Sequence, residues 1–260
     1  MDTTTVLGIS IHLSDDYLAC LQQRIAEGQG TQVVTLNAEM VMQARKNPHL
    51  AQAIAQAECV VPDGAGVVLH LKLHGYKIKR QPGIELAEEL IKWAEPAQKS
   101  VFLIGGKQGI AHTVAQKWHS QHPRLKILGA HHGYFLSDPH LHAQITEQLQ
   151  QLQPHIILVG LGVPRQELWI SAHRHLCPHS LWMGVGGSFD VWSGQKQRAP
   201  KLLRNLNLEW LYRLYQEPWR WRRMLALPHF ALLTLLDLLT PEKNRKNYFA
   251  KDDRLPDPQG

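Results

Sequence analysis

The stretch VVPDGAG sets Asp63 directly after an apolar run and just before residues of helical spacing. A carboxylate in that position can take a proton from a substrate hydroxyl as a general base. The same placement suits a helix N-cap or a turn acid, which the neighbouring Gly64 favours, so both readings stand at this point. LIGGKQGIA places Gly105, Gly106 and Gly109 between a strand-like run and a helix. Exposed amides at a helix start suit a diphosphate, and a glycine turn serving only the backbone explains the same residues. GLGVPRQELW carries Gly160, then Arg165, Gln166 and Glu167 at a helix start. There Glu167 can simply offset the helix dipole while Gln166 lies at the surface. GVGGSFDVWSG adds Gly186 and Asp190, and HHGYF adds Tyr134, a ring able to stack on a base or sugar or to pack at the core rim.

Missing signatures narrow the chemistry. Neither the GxGxxG dinucleotide fingerprint nor the GK[ST] of a triphosphate loop occurs, and no G-x-S-x-G hydrolase elbow is present. The sixteen histidines form pairs such as His131–His132 and His173–His175 without HExxH or a cysteine partner, so no metal ligand set is assigned. No Asp-x-Asp occurs either. A departing diphosphate would therefore have to be met by arginine, lysine and backbone amides, with Arg80, Arg198 and the C-terminal arginines as the available cations.

The elements that must hold these residues alternate. Short runs rich in Val, Ile and Leu lie at 33–37, 59–63, 100–106, 125–130, 155–162 and 180–187. They are apolar on both alternating faces, as strands covered on two sides should be. Between them GIELAEELIKWA and DPHLHAQITEQLQQLQ have helical stripes, the second with Asp138 as N-cap and Pro139 just inside. This alternation predicts an α/β fold: a Rossmann-like, mostly parallel sheet with helices on both faces. Ligands of such sheets collect at the strands' carboxyl ends, where Thr35 and Asn37, Asp63, Gly105 and Gly106, Tyr134, Gly160 to Gln166 and Gly186 all fall. TVLGISIHL is expected to supply a hairpin or edge strand. The pattern breaks near Ser193, dividing a core at 1–197 from a C-terminal helical appendage at 198–240. The polar residues 241–260 are expected to be a disordered tail.

Charge is concentrated in that appendage. Between Arg198 and Arg223 seven basic residues face only Glu209 and Glu217, which accounts for nearly all of the net +6. An anionic partner follows: phosphate, acidic lipid or nucleic acid. Interleaved Arg and Trp suit single-stranded nucleic acid. However, the basic residues are confined to one segment and the strand ends carry glycines, so no nucleic-acid partner is expected. The apolar run from Met224 to Leu239 contains Pro228, His229 and Asp237 and falls short of the ~20 residues of a membrane span. An interfacial helix on an acidic membrane surface fits it, as does a helix packed on the core with a solvated basic face. Arg213, Arg220 and Arg223 would share one face if the helix continued past Pro218. Three dispersed cysteines and an N-terminus without a basic-then-apolar leader point to a reducing, cytoplasmic setting.

TLNAEMV, VVPDGAGVV, RQPGIEL, FLIGG, GYF, VGLGVPRQELW, GVGGSFDVWSG and RAPKLLRNLNLEWLYRLYQEPWR occur in this order from about Val6 to Arg223. Together they resemble the WecG/TagA/CpsF family of bacterial glycosyltransferases. The resemblance implies metal-independent, inverting transfer of an N-acetylmannosamine-type or related hexose from a UDP-sugar donor to a polyprenyl-diphosphate-linked sugar acceptor. It implies cell-surface polymer synthesis at the inner face of the plasma membrane, with no cofactor. By motif position Asp63 resembles the family's base; Thr35, Asn37, Arg80 and Gln166 its pocket partners; Tyr134 the residue near the uracil. The segment after Arg198 resembles the appendage whose arginines, here Arg213, Arg220 and Arg223, close over the diphosphate at the membrane. Glu85 stands where the family often has Asp, and Pro82 precedes Gly83, departures that bear on donor choice. A homo-oligomer is compatible with the sequence.

Overall fold

A computed structural model of the chain describes residues 1–240. The tail expected to be disordered, 241–260, lies outside the described residues. Strands β1 (Asp2–Val6) and β2 (Ile9–Leu13) pair antiparallel as a hairpin. Six more form one sheet: β3 (Thr31–Leu36), β4 (Cys59–Pro62), β5 (Ser100–Gly105), β6 (Lys126–His131), β7 (Ile156–Gly160) and β8 (Leu181–Gly184). Their order is β4-β3-β8-β7-β5-β6, and every pairing is parallel. All six expected strands are present.

Side-chain alternation explains why each run is apolar throughout. Val33, Val61, Leu103, Leu158 and Met183 feed a core cluster on one face of the sheet. Their neighbours Val34, Leu36 and Val60, and then Phe102, Ile157 and Trp182, feed two clusters on the other. A strand buried on both faces has no polar side to show. The expected helices are present at Gly83–Ala94 and Pro139–Leu152, the latter capped by the Asp138 carboxylate.

After β8 the chain runs through Ser188–Ser193 and then the helices Lys201–Asn205, Glu209–Gln216, Trp221–Met224 and Ala226–Leu239. The expectation of one helix passing Pro218 is corrected here. Glu217 leaves the helical region (φ −132°, ψ 73°) and Pro218 opens a single 3₁₀ turn, because proline cannot donate the next helical hydrogen bond. Arg213, Arg220 and Arg223 therefore do not form one stripe. The Ala226–Leu239 helix turns Phe230, Thr234 and Asp237 inward and leaves Leu232, Leu235, Leu236 and Leu239 exposed. Among the described residues no helix is long and apolar enough to cross a membrane.

Candidate active site

Asp63 leaves β4 at its carboxyl end, and its backbone amide and that of Gly64 both donate to the Leu36 carbonyl at the end of β3. The two strand ends approach so closely that a Cβ on Gly64 would lie 2.7 Å from the Asn37 Cβ. Gly64, not Asp63, occupies the cap position of the Ala65–Leu73 helix, without a side-chain cap bond. The Asp63 carboxylate is left facing a cavity, with a quarter of its side chain exposed. Burial pushes its pKa above the usual carboxylate value; the charges of Arg80 and Arg213 oppose that rise, Glu209 adds to it, and the Gly83 amide opposes it.

Arg80 is the cation nearest to Asp63. Its Nε donates to the Asp63 carbonyl, and its Nη2 lies 3.7 Å from the Asp63 carboxylate and 2.8 Å from Glu209 Oε2. Glu209, buried at the start of its helix, also lies 3.5 Å from both Arg198 and Arg213. Burial alone would raise its pKa, but the Arg80 hydrogen bond and the Arg213, Arg80 and Arg198 charges hold it below the usual value. Sequence reading counted Glu209 only as a counter-charge. Of its three arginine partners, Arg213 is the i,i+4 neighbour on the same helix, while Arg198 and Arg80 come from 11 and 129 residues away, which spacing does not reveal.

Two cavities meet at these residues. The smaller, about 90 Å³, is lined by Thr35, Asn37, Asp63, Arg80, Gln166 and Gly186, with Arg213 closing it from the appendage. The larger, about 620 Å³, shares Asn37, Asp63, Arg80, Glu209 and Arg213 and adds Arg220. Its far wall is apolar: Leu69, Leu73, Trp210, Leu227, Phe230 and Leu235. This volume falls in the ~300–1,000 Å³ range of small-ligand sites.

The remaining expected residues divide. Asn37 caps the Ala38–Ala44 helix through the Met40 amide, at 3.0 Å. Gln166 and Glu167 are not at the surface: they are 2% and 1% exposed. The Gln166 Oε1 accepts the amides of Gly162 and Gly186, and its Nε2 donates to Glu167 at 2.7 Å, so it ties the β7 and β8 loops together beside the small cavity. Burial pushes Glu167 up to about 7, against the Gln166 hydrogen bond. Gly105 and Gly160 lie against the Phe189 ring, within 2.8 Å of where a Cβ would sit, and Gly106 lies against Ile110. These three glycines and the exposed Tyr134 line neither cavity. They gather at the ends of β5, β6 and β7, where connections leave β5 and β7 in opposite directions across the sheet. Arg223 is drawn to Glu39 at 2.6 Å, and Glu85 holds Arg198 at 2.6 Å and Arg204 at 3.2 Å.

A six-stranded parallel sheet with helices on both faces, and an acid, arginines and an apolar trough at its strand ends, places the chain in the Rossmann-like α/β class. More specifically, the chain belongs to the glycosyl transferase WecG/TagA/CpsF family, whose model matches residues 4–244, and it is a glycosyltransferase. It is 36% identical over 240 residues to an N-acetylglucosaminyldiphosphoundecaprenol N-acetyl-beta-D-mannosaminyltransferase of Bacillus subtilis, covering 92% of this chain and 90% of that one. A protein of the same name from Bacillus spizizenii is 33% identical over 225 residues, covering 86% of this chain and 83% of that one.

Proposed function

We propose that the chain transfers an N-acetylmannosamine-type hexose from a UDP-sugar to a sugar carried on a polyprenyl diphosphate, with Asp63 as general base and no metal in the step. The observation that carries this reading is the position of Asp63 on the wall shared by a small polar cavity and a larger, largely apolar one. A donor sugar in the first and a lipid-linked acceptor in the second would meet at its carboxylate. The likeness to two mannosaminyltransferases supports the same pairing of donor and acceptor.

The step is one in-line displacement. The acceptor hydroxyl oxygen forms its bond to the anomeric carbon as that carbon's bond to the UDP oxygen breaks, and Asp63 takes the hydroxyl proton, so configuration inverts. Arg80 and Arg213, which line both cavities, meet the charge growing on UDP. Arg220, on the apolar cavity alone, faces the lipid diphosphate. The glycine turns and Tyr134 at the ends of β5 to β7 take the uridine end. Residues 198–240 act as an appendage that docks on the acidic inner surface of the membrane.

The test is transfer itself, read by mass spectrometry with a panel of UDP-sugars and a short polyprenyl-diphospho-N-acetylglucosamine acceptor in detergent. The wild-type chain is expected to transfer N-acetylmannosamine, and Asp63→Asn to lose on the order of 10²–10⁴-fold in rate. No transfer from any donor overturns the reading, and a folded Asp63→Asn variant at full rate removes Asp63 as base.

A further inference from the structure

The Ala65–Leu73 helix ends in HLKLH, which puts His70 and His74 one turn apart on the same face. That face meets the Ala226–Leu239 helix, whose Thr234 and Asp237 are three residues apart and buried. The two imidazoles stack with centroids 4.2 Å apart. The Nε2 atoms of His70 and His74 lie 3.7 Å and 2.9 Å from one oxygen, Oδ2 of Asp237. One ligand atom from each of the three residues falls within 4.8 Å of the others, and the side chains are only 2%, 10% and 8% exposed.

Hydrogen positions decide what this cluster is for. The His74 Nδ1 lies 2.8 Å from the His70 carbonyl, which can only accept, so Nδ1 carries the hydrogen. In the neutral ring Nε2 then presents a lone pair, and a carboxylate oxygen 2.9 Å away presents another. A proton shared between them would make a strong hydrogen bond, yet this nitrogen, nine-tenths buried, makes none among the described residues. An imidazole nitrogen and a carboxylate oxygen at that separation, with no hydrogen bond made by the nitrogen among the described residues, are what two ligands of one cation look like. At His70 the Nδ1 lies 3.2 Å from the Thr234 hydroxyl, which can donate or accept, and the Nε2 lies 3.7 Å from Asp237 Oδ2. Orienting one ring nitrogen by a carbonyl or hydroxyl so that the other can ligate is the usual second layer of a histidine metal site.

We propose that His70, His74 and Asp237 form a zinc site that fastens the C-terminal helix to the core. Two imidazole nitrogens and one carboxylate oxygen suit Zn²⁺ better than a harder cation such as Mg²⁺ or Ca²⁺. The site stands apart from the transfer chemistry. Its two helices form the apolar wall of the 620 Å³ cavity, which Thr234 also lines, so the ion sets how firmly that wall is closed. Neither helix could be tied to the other by a local motif, since 163 residues separate His74 from Asp237.

The experiment uses the full chain, stripped with chelator and dialysed. Zinc is titrated against a fluorescent competitor, Co²⁺ is added to a second sample to read its ligand-field bands, and melting is followed in both. One equivalent per chain is expected, with a Tm rise of roughly 5–10 °C at a hundredfold excess over Kd. His74→Gln and Asp237→Asn, checked for folding by far-UV dichroism, are each expected to lose at least tenfold in affinity and the Tm response. His173→Gln, outside the cluster, is expected to keep both. Binding well below one equivalent, or unchanged affinity in a folded His74→Gln chain, overturns the proposal. So does a Tm indifferent to zinc but raised by acidification, which would show a proton in the ion's place.

Discussion

Two carboxyls, the partly exposed Asp63 on the small cavity and the buried Glu167 beside it, are shifted the same way by one physical cause. Burial raises both Asp63 and Glu167, and a group with a raised folded pKa adds stability below its unfolded value that is lost as pH climbs through the folded one. For Glu167 that window runs from the ordinary 4.5 to about 7. Glu167→Gln keeps an acceptor for Gln166 and removes the ionisation. Its stability gain is therefore expected to be small at pH 5 and to reach roughly 2–3 kcal/mol at pH 8, read by denaturant unfolding at both values. A gain equal at both pH values would show that the charge is not the cause. Asp63 follows the same sign, because its pKa rises despite Arg80 and Arg213. Asp63→Asn should melt higher than wild type at neutral pH while losing transfer. The loss of transfer, and not the gain in stability that Glu167→Gln shares, is what marks Asp63 as the reactive carboxylate.

At the scale of elements, the site depends on how closely β3 and β4 end. The Gly64 Cβ position lies 2.9 Å from the Asn37 Cα, so a methyl there meets backbone that cannot swing aside. Gly64→Ala is expected to cost about 1–3 kcal/mol, to part Asp63 from the Thr35–Asn37 loop and to lower kcat more than it raises KM. Unchanged melting and kinetics would show that this approach is slack. The sheet was legible in the sequence because a strand covered on both faces must be apolar at every position, which short Val- and Ile-rich runs announce directly. Asp63 and Asn37 were legible because strand ends are where such folds bring side chains together, although the cap that Asn37 forms was not; Arg80, between two helices, was legible only as an available cation and by its motif. The common face for Arg213, Arg220 and Arg223 failed at Pro218, where a helical period was carried through a residue that ends it. Glu209 with its arginines, and His70 and His74 with Asp237, were illegible for another reason. Their partners are more than 100 residues apart in several cases, and only tertiary packing of the last helices on the core unites them.

Across the whole molecule, apolar exposure and positive charge fall on the same segment. Tyr215 is 82% exposed and Trp219 71%, and Trp221, with Arg222 stacked 5.5 Å from its ring, is also exposed. Leu232 and Leu235 continue the apolar surface along the last helix. Leu235 also lines the trough that leads to Asp63, so the surface and the cavity share a wall. Aromatic rings beside arginines are suited to the headgroup layer, where the rings are half-withdrawn from water and the guanidinium groups meet acidic lipid. An enzyme whose acceptor is anchored in a bilayer gains from such a face, because docking presents the trough to the lipid without crossing the membrane. Replacing Trp219 and Trp221 together by Ser removes two partly inserted rings, at about 1 kcal/mol each. Binding to vesicles containing acidic lipid is then expected to weaken roughly thirtyfold. Transfer to a short-chain acceptor in detergent should be nearly unchanged, while transfer to a full-length lipid acceptor in vesicles falls with the binding. Raising salt should weaken wild-type and variant alike, since the arginines remain. Equal vesicle binding by the wild-type and double-serine chains would place the membrane contact on another face and leave these rings as surface residues of the appendage.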